Sequence, residues 1–215
     1  MAHGLIIGAS GGIGAALADR LEQDGAVIRL SRRADGLDVT DEASVAAHLA
    51  DLPPISTAFV ATGILAPGGG APEKALDAVD AAAMARVFAV NAIGPALILK
   101  HLAPHLTDDA RVGVLTARVG SIGDNRMGGW YSYRAAKAAA NQIVHGAAIE
   151  IGRKRKGAVV VALHPGTVET PFTDGHKAPK VTAEAAAENL VGVLRSLTPA
   201  QSGGFFDYAG QEIVW

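Results

Sequence analysis

The sequence predicts an α/β protein: a single doubly wound parallel sheet of about seven strands with helices on both faces. Three observations point there. Short apolar runs alternate with longer helical patterns from end to end, as in parallel sheets covered on both sides. The first run, Leu5-Ile6-Ile7, leads at once into Gly8-Ala9-Ser10-Gly11-Gly12-Ile13-Gly14 and then into a helical pattern. No shift in composition and no repeat divides the chain, so residues 1–215 read as one domain.

The elements follow in order. Leu5 to Ile7 is short and apolar, which suits a buried strand. Val27 to Leu30 reads as a second strand, and Leu37-Asp38-Val39 as a short third. The link from Ser31 to Leu37 is too short for a crossover helix, which places that third strand under strain as an assignment. Thr40 or Asp41 is a candidate cap for a helix through Leu49, ended by Pro53-Pro54. Thr57 to Ala61 is a fourth strand, followed by a loop around Gly68-Gly69-Gly70. Helical signal runs from about Lys74 to Val90, and a second helix follows Pro95, a residue suited to a first turn. Arg111 to Thr116 is a fifth strand and Tyr131 to Ile151 a long helix. Ala158 to Leu163, Thr182 to Leu197 and Gly204 to Phe206 complete the pattern as strand, helix and strand.

Bulk properties exclude several function classes. The net charge is −2 and aromatics make up 5%, so nothing argues for nucleic acid. Cysteine is absent, which removes disulfides, thiolate metal sites and cysteine nucleophiles. The seven histidines are scattered without metal-ligand spacing, so no metal is expected. Met1-Ala2-His3-Gly4 does not open like a signal peptide, and no apolar stretch approaches the roughly 20 residues of a membrane helix. A cytoplasmic protein with a small-molecule ligand, away from membranes, is the expectation.

Strand, glycine turn, helix is the context in which glycines cradle a phosphate. Gly8 suits the tight turn off the strand, Gly12 a close backbone approach to a pyrophosphate, and Gly14 close packing of helix on sheet. The helix N-terminus then offers free N–H groups and the positive end of its dipole. Further along, Tyr133 and Lys137 lie four apart on the long helix and share a face. An ammonium near a phenol lowers the phenol's pKa, which makes Tyr133 a candidate acid–base group.

Gly8-x-x-x-Gly12-x-Gly14, Asn91 and Tyr133-x-x-x-Lys137, in that order, resemble the short-chain dehydrogenase/reductase family, and the likeness spans Leu5 to Phe206. Residues 119–125, 128–134 and 203–207 look like its C-factor/sniffer-type carbonyl reductase branch. The resemblance implies a Rossmann-type sheet and an NADP-dependent oxidoreductase that interconverts a carbonyl and an alcohol. It makes Tyr133 the proton donor or acceptor, with Lys137 gripping the nicotinamide ribose. Asn91 would hold a water behind Lys137; its other reading is a cap for the helix after Pro95. The family's substrate-binding Ser falls on Ala117, so Thr116 or Ser121 would have to supply the hydroxyl, with Ser121 the preferred candidate.

The cofactor residues implied are Gly8, Ser10, Gly11, Gly12, Ile13 and Gly14 in the first loop. Leu30-Ser31-Arg32-Arg33 holds no acid, and Arg32 with Ser31 suits a 2′-phosphate, favouring NADP over NAD. Asp38 and Val39 flank the adenine. Ala61, Thr62 and Gly63 pass beneath the cofactor together with Asn91. Pro165, Gly166, Val168 and Thr170 flank the nicotinamide, and residues 171–181 are expected to form a short lid. The small-residue stripe Ala136, Ala140, Ile143 and Ala147 reads as core or as a contact in a homodimer or homotetramer. A nucleotide-binding signalling protein of the C-factor kind, with weak or no turnover, is the alternative.

Overall fold

The computed structural model describes residues 2–170 and 180–215. Six strands form one parallel sheet in the order β2-β1-β3-β4-β5-β6. They are β1 (His3–Ile7), β2 (Val27–Leu30), β3 (Ile55–Val60), β4 (Leu106–Leu115), β5 (Val159–His164) and β6 (Phe205–Asp207). The helices are α1 (Gly12–Glu22), α2 (Arg32–Asp35), α3 (Glu42–Leu49), α4 (Ala81–Phe88), α5 (Gly94–Leu102), α6 (Tyr131–Lys154) and α7 (Ala183–Ser196). The expected doubly wound sheet is present, with one strand fewer than expected.

The missing strand is Leu37–Val39. The single turn of α2 fills the link after β2 and ends at Gly36, whose φ of 76° is the left-handed conformation glycine adopts freely. That leaves too little chain for a crossover, so the segment packs its side chains without pairing. Leu37 and Val39 sit in the core beside α3 and α5. Asp41, one of the two expected caps, accepts from Ala43 N at the start of α3.

Each face of the sheet has its own core. Leu5, Ile7, Val112 and Val114 meet Val45 and Leu49 of α3, Ile98, Leu99 and Leu102 of α5, and Val144 and Ala148 of α6. On the other face Ile6, Phe59, Val161 and Leu163 meet Leu17 and Leu21 of α1 and Leu190 and Leu194 of α7. The alternation along β1 (Leu5 and Ile7 to one side, Ile6 to the other) is the period-2 pattern of a strand buried on both faces. Ala136 and Ala140 of the α6 stripe are fully buried against this chain's own residues.

The helical signal expected over Lys74–Val90 narrows to α4, which Asp80 caps by accepting from Ala83 N. Between α4 and α5, residues Ala89–Ile93 form a π turn in which Gly94 N–H donates to Ala89 O. The combined rod Ala81–His105 has a mean hydropathy of 1.7 and is long and apolar enough to cross a membrane by length and composition. This corrects the expectation that no such stretch exists. Its alanines raise the hydropathy, and its larger apolar residues, including Ile98, Leu99 and Leu102, belong to the core.

The chain order reverses on either side of β1, and open sheets bind ligands at such a switch, beyond the carboxyl ends of the strands. The glycine loop lies there. A Cβ on Gly14 would stand 2.2 Å from Gly8 O, so the helix start is pressed against the turn. Gly14→Ala is expected to destabilise the protein by about 1–3 kcal/mol, the usual cost of overpacking, read as a lowered urea midpoint. An unchanged midpoint would show that the loop can relax.

Candidate active site

Two adjoining cavities run along the carboxyl edge of the sheet. The outer, of about 510 Å³, lies over β2 and the segment 37–40; the inner, of about 670 Å³, lies over β4, β5 and the start of α6. They share Ser10, Gly11, Ala61, Thr62 and Gly63, so they form one trough. Gly8 lines the outer part, and Gly12, Ile13 and Gly14 the inner. Gly11 precedes α1 with no side-chain cap, and no acid stands in the first turn of that helix. The N–H groups and dipole of α1 therefore face the trough uncompensated. A Cβ on Gly11 would meet only Gly8 O, at 3.5 Å. The space above the loop is a cradle of the kind a phosphate fills.

Helix α6 delivers the chemical groups. Its first turn is anchored from a distant loop: Glu73 accepts from the Ser132 hydroxyl and from Ser132 N, and Glu73 O accepts from Trp130 N at 2.5 Å. Trp130 enters the helix at φ 54°, an uncommon conformation for a bulky residue. Its ring meets Tyr133 edge-on, with centroids 6.2 Å apart. Tyr133 is 5% exposed and Lys137 3% exposed, and both line the inner cavity.

Lys137 Nζ donates to Leu115 O at 3.0 Å and lies 5.8 Å from the centroid of the Tyr133 ring. Burial pushes the Lys137 ammonium down to about 8. Burial also pushes the Tyr133 phenol above its ordinary value. This differs from the lowering expected from a nearby ammonium. In the protein alone, loss of solvation controls the phenol, since a phenolate without water is costly.

Asn91 lies in the π turn, fully buried beneath the trough rather than on its wall. Its Oδ1 accepts from Ile64 N and its Nδ2 donates to Ile64 O, both at 2.8 Å. It is not a helix cap; α5 begins without one. A Cβ on Gly63 would stand 3.2 Å from Asn91 Oδ1 and 3.5 Å from Lys137 Nζ, so Gly63 fills the gap between them.

The preferred hydroxyl, Ser121, is otherwise engaged. It donates to Val214 O at 2.5 Å and accepts from Asp124 N at 3.0 Å, holding the loop against the segment near Trp215. It does not line the cavity; Thr116 and Ala117 do. Thr116 Oγ1 is buried and has no hydrogen-bond partner among the described residues. Of the two candidates, geometry therefore favours Thr116 over Ser121, while the Ala117 position presents only a methyl group.

In the outer cavity Arg32 and Ser31 both stand on the wall, and Ser31 is also engaged locally. The Ser31 hydroxyl accepts from Ala34 N as the cap of α2, and Ser31 N donates to Asp35. Arg33 donates to Ser10 O at 3.4 Å, across the glycine loop. Asp38 and Val39 line this end. Asp38 accepts from the Thr40 hydroxyl and Thr40 N, which hold its carboxyl below the usual range, with Arg86 and Arg32 adding to the effect. Arg86 was not foreseen; it is the one charged residue of α4. Pro165, Gly166, Val168 and Thr170 line the inner cavity. A Cβ on Gly12 would stand 2.7 Å from Thr170 Cγ2, so the two loops touch. Residues 171–179 of the expected lid lie outside the described residues.

A family model described as enoyl-(acyl carrier protein) reductase matches residues 36–204. The chain belongs to the short-chain dehydrogenase/reductase family. C-signal of Myxococcus xanthus, another relative, is 39% identical over 143 residues, 66% of this chain and 84% of that protein. 1-Hydroxy-2-glutathionyl-2-methyl-3-butene dehydrogenase of Rhodococcus sp. strain AD45 is 39% identical over 132 residues, 60% of this chain and 58% of that protein. The NADPH-bound carbonyl reductase from chicken fatty liver superposes with a TM-score of 0.83 at 22% identity, over 99% of this chain and 94% of that one. The chain thus has the fold of the chicken carbonyl reductase and is similar in sequence to C-signal.

Proposed function

We propose that the protein is an NADP-dependent oxidoreductase that interconverts a carbonyl and an alcohol by hydride transfer, with Tyr133 as general acid/base. One observation carries this reading: a buried phenol and a buried ammonium, one helical turn apart, face a cavity continuous with a glycine-lined trough. The chicken carbonyl reductase of the same fold binds NADPH, which supports the choice of cofactor. The Rhodococcus relative, by its name a dehydrogenase, supports the reaction class.

The trough fits a dinucleotide. Gly12 and Gly14 stand in the uncapped first turn of α1, whose N–H groups suit a pyrophosphate, and Thr170 closes that side. Arg32, Arg33 and Arg86 are the cations for a 2′-phosphate and its surroundings, while Asp38 suits an amino group of the base. The nicotinamide, when bound, supplies or takes the hydride. Tyr133, kept neutral by burial at physiological pH, is in the state that donates a proton to a carbonyl oxygen. Lys137 keeps a positive charge beside that phenol, held in place by Leu115 O. Asn91 holds the ledge at Ile64 on which Gly63 rests. A built reaction cavity favours turnover over a purely nucleotide-binding signalling role.

The test is oxidation of NADPH and NADH across a panel of ketones, aldehydes and quinones. A kcat/KM at least about tenfold higher with NADPH is expected, since charge-assisted bonds to a phosphate are strong. Arg32→Ala should narrow that gap. Tight NADPH binding with no carbonyl reduced anywhere in the panel would sink the catalytic reading.

A further inference from the structure

The wall of the inner cavity carries more positive charge than a neutral substrate needs. Among the described residues, Arg118, Arg126 and Arg134 line it together with Lys137, and Asp124 is the one carboxylate among them. Arg118 is answered: it donates to Asp207 at 3.0 Å and to Asp124 at 3.3 Å. Among the described residues no carboxylate answers Arg126 or Arg134. Arg134 Nε donates to Gly129 O at 3.0 Å and its Nη1 to Val119 O at 3.3 Å, both neutral acceptors. Arg126 Nη1 donates to Asn125 O at 3.2 Å, its one acceptor among the described residues.

A guanidinium offers five N–H donors in a planar fork that matches a carboxylate. The two carbonyls hold Arg134 in place while leaving its Nη2 without a partner among the described residues. Arg134 lines the same cavity as Tyr133, so an anion held there shares the chamber of the reacting centre. The trough's other cations, Arg32 and Arg86, stand at its outer end, where they serve the opposite end of a bound dinucleotide. His164, also on the inner wall, is neutral at physiological pH: burial and then the Arg118 charge push it down to about 4.

We infer that the carbonyl or alcohol substrate carries a carboxylate, held by Arg134 and Arg126 at the mouth of the cavity over Tyr133. This rests on the oxidoreductase reading and names the substrate class for the same site. It assigns a specificity role to two residues that touch neither the reacting carbonyl nor the glycine loop.

The experiment compares 4-acetylbenzoate with its methyl ester, which differ in one charge. Both kcat/KM with NADPH and calorimetric binding to the NADP⁺-loaded protein, which cannot reduce the ketone, are measured. The acid should be preferred by about 10- to 100-fold at low salt, in line with a charge-assisted pair. That preference should shrink as salt rises toward 0.5 M, a test that needs no variant. In Arg126→Gln/Arg134→Gln the acid-to-ester ratio should fall at least about tenfold, while Arg134→Lys, which keeps the charge, should retain part of it. An ester used or bound as well as the acid overturns the inference and leaves the oxidoreductase reading standing. Preferential binding of the acid without turnover of any carbonyl supports the anion site and sinks the oxidoreductase reading alone.

Discussion

Tyr133→Phe is expected to lower kcat by about 10²- to 10⁴-fold, the usual worth of a positioned acid, with the Kd for NADPH changed less than about threefold. The substitution removes one oxygen from a side chain that is 5% exposed, and it leaves the ring against Trp130. Packing is therefore preserved and the loss is chemical. Stopped-flow reduction with saturating NADPH separates the two. Because burial raises the phenol's pKa, the unmodified protein should show no loss of activity from Tyr133 ionisation up to pH 9. A variant with more than a tenth of the normal kcat would remove Tyr133 from the proton-transfer role.

Lys137→Met is expected to give an inactive but more stable protein. Burial pushes the folded ammonium down to about 8, against an ordinary lysine value of 10.5. Between those values the unfolded chain holds a proton that the folded chain has released, so stability rises with pH across that window. Below pH 8 the full burden remains, on the order of 3 kcal/mol by the size of the shift. Methionine has similar length and no charge; the offsetting loss is the bond to Leu115 O, about 1 kcal/mol. The net is a gain of roughly 1–2 kcal/mol at pH 7, or several degrees in Tm. Calorimetry at pH 7 and again near pH 10 checks it: the advantage should be present at the first and mostly gone at the second. A variant less stable than the parent at pH 7 would mean that the Leu115 contact outweighs desolvation. Activity should fall at least about 10²-fold, so the lysine is retained for function against stability.

Local chemistry made most of the frame readable. Gly8 makes the turn off β1 at φ 94°, the role its spacing suggested; Gly14 lies against that turn, and Gly12 against Thr170, a contact spacing alone did not show. Tyr133 and Lys137 share a face because a helix repeat guarantees it. Leu37–Val39 was misread as a strand because an apolar triplet looks alike whether it pairs or merely packs; only the tight α2 turn distinguishes them. Ser121 misled for a different reason. A hydroxyl near a site by sequence is no guide to its partners, and Val214 O lies 93 residues away. Arg86, Arg118 and Arg134 were silent for the same cause. Their roles come from convergence of α4, the segment after β4 and α6, which spacing along the chain does not encode. The direction of the Tyr133 pKa was also beyond the sequence, since it depends on how completely the packed helix excludes water.

The π turn at Ala89–Ile93 adds one residue to a helical turn without breaking the rod. Each residue advances a helix by about 100°. Removing one residue there would let α4 run regularly into α5, and the backbone alone would welcome it. The rotation would swing Ile98, Leu99 and Leu102 out of the core and carry the amide of Asn91 away from Ile64. This stretch is thus closed to single-residue deletion, though it lies in a helix that looks uniform. The irregular turn acts as a phase setter: it allows one continuous rod to present its first half to the outer cavity and its second half to the sheet.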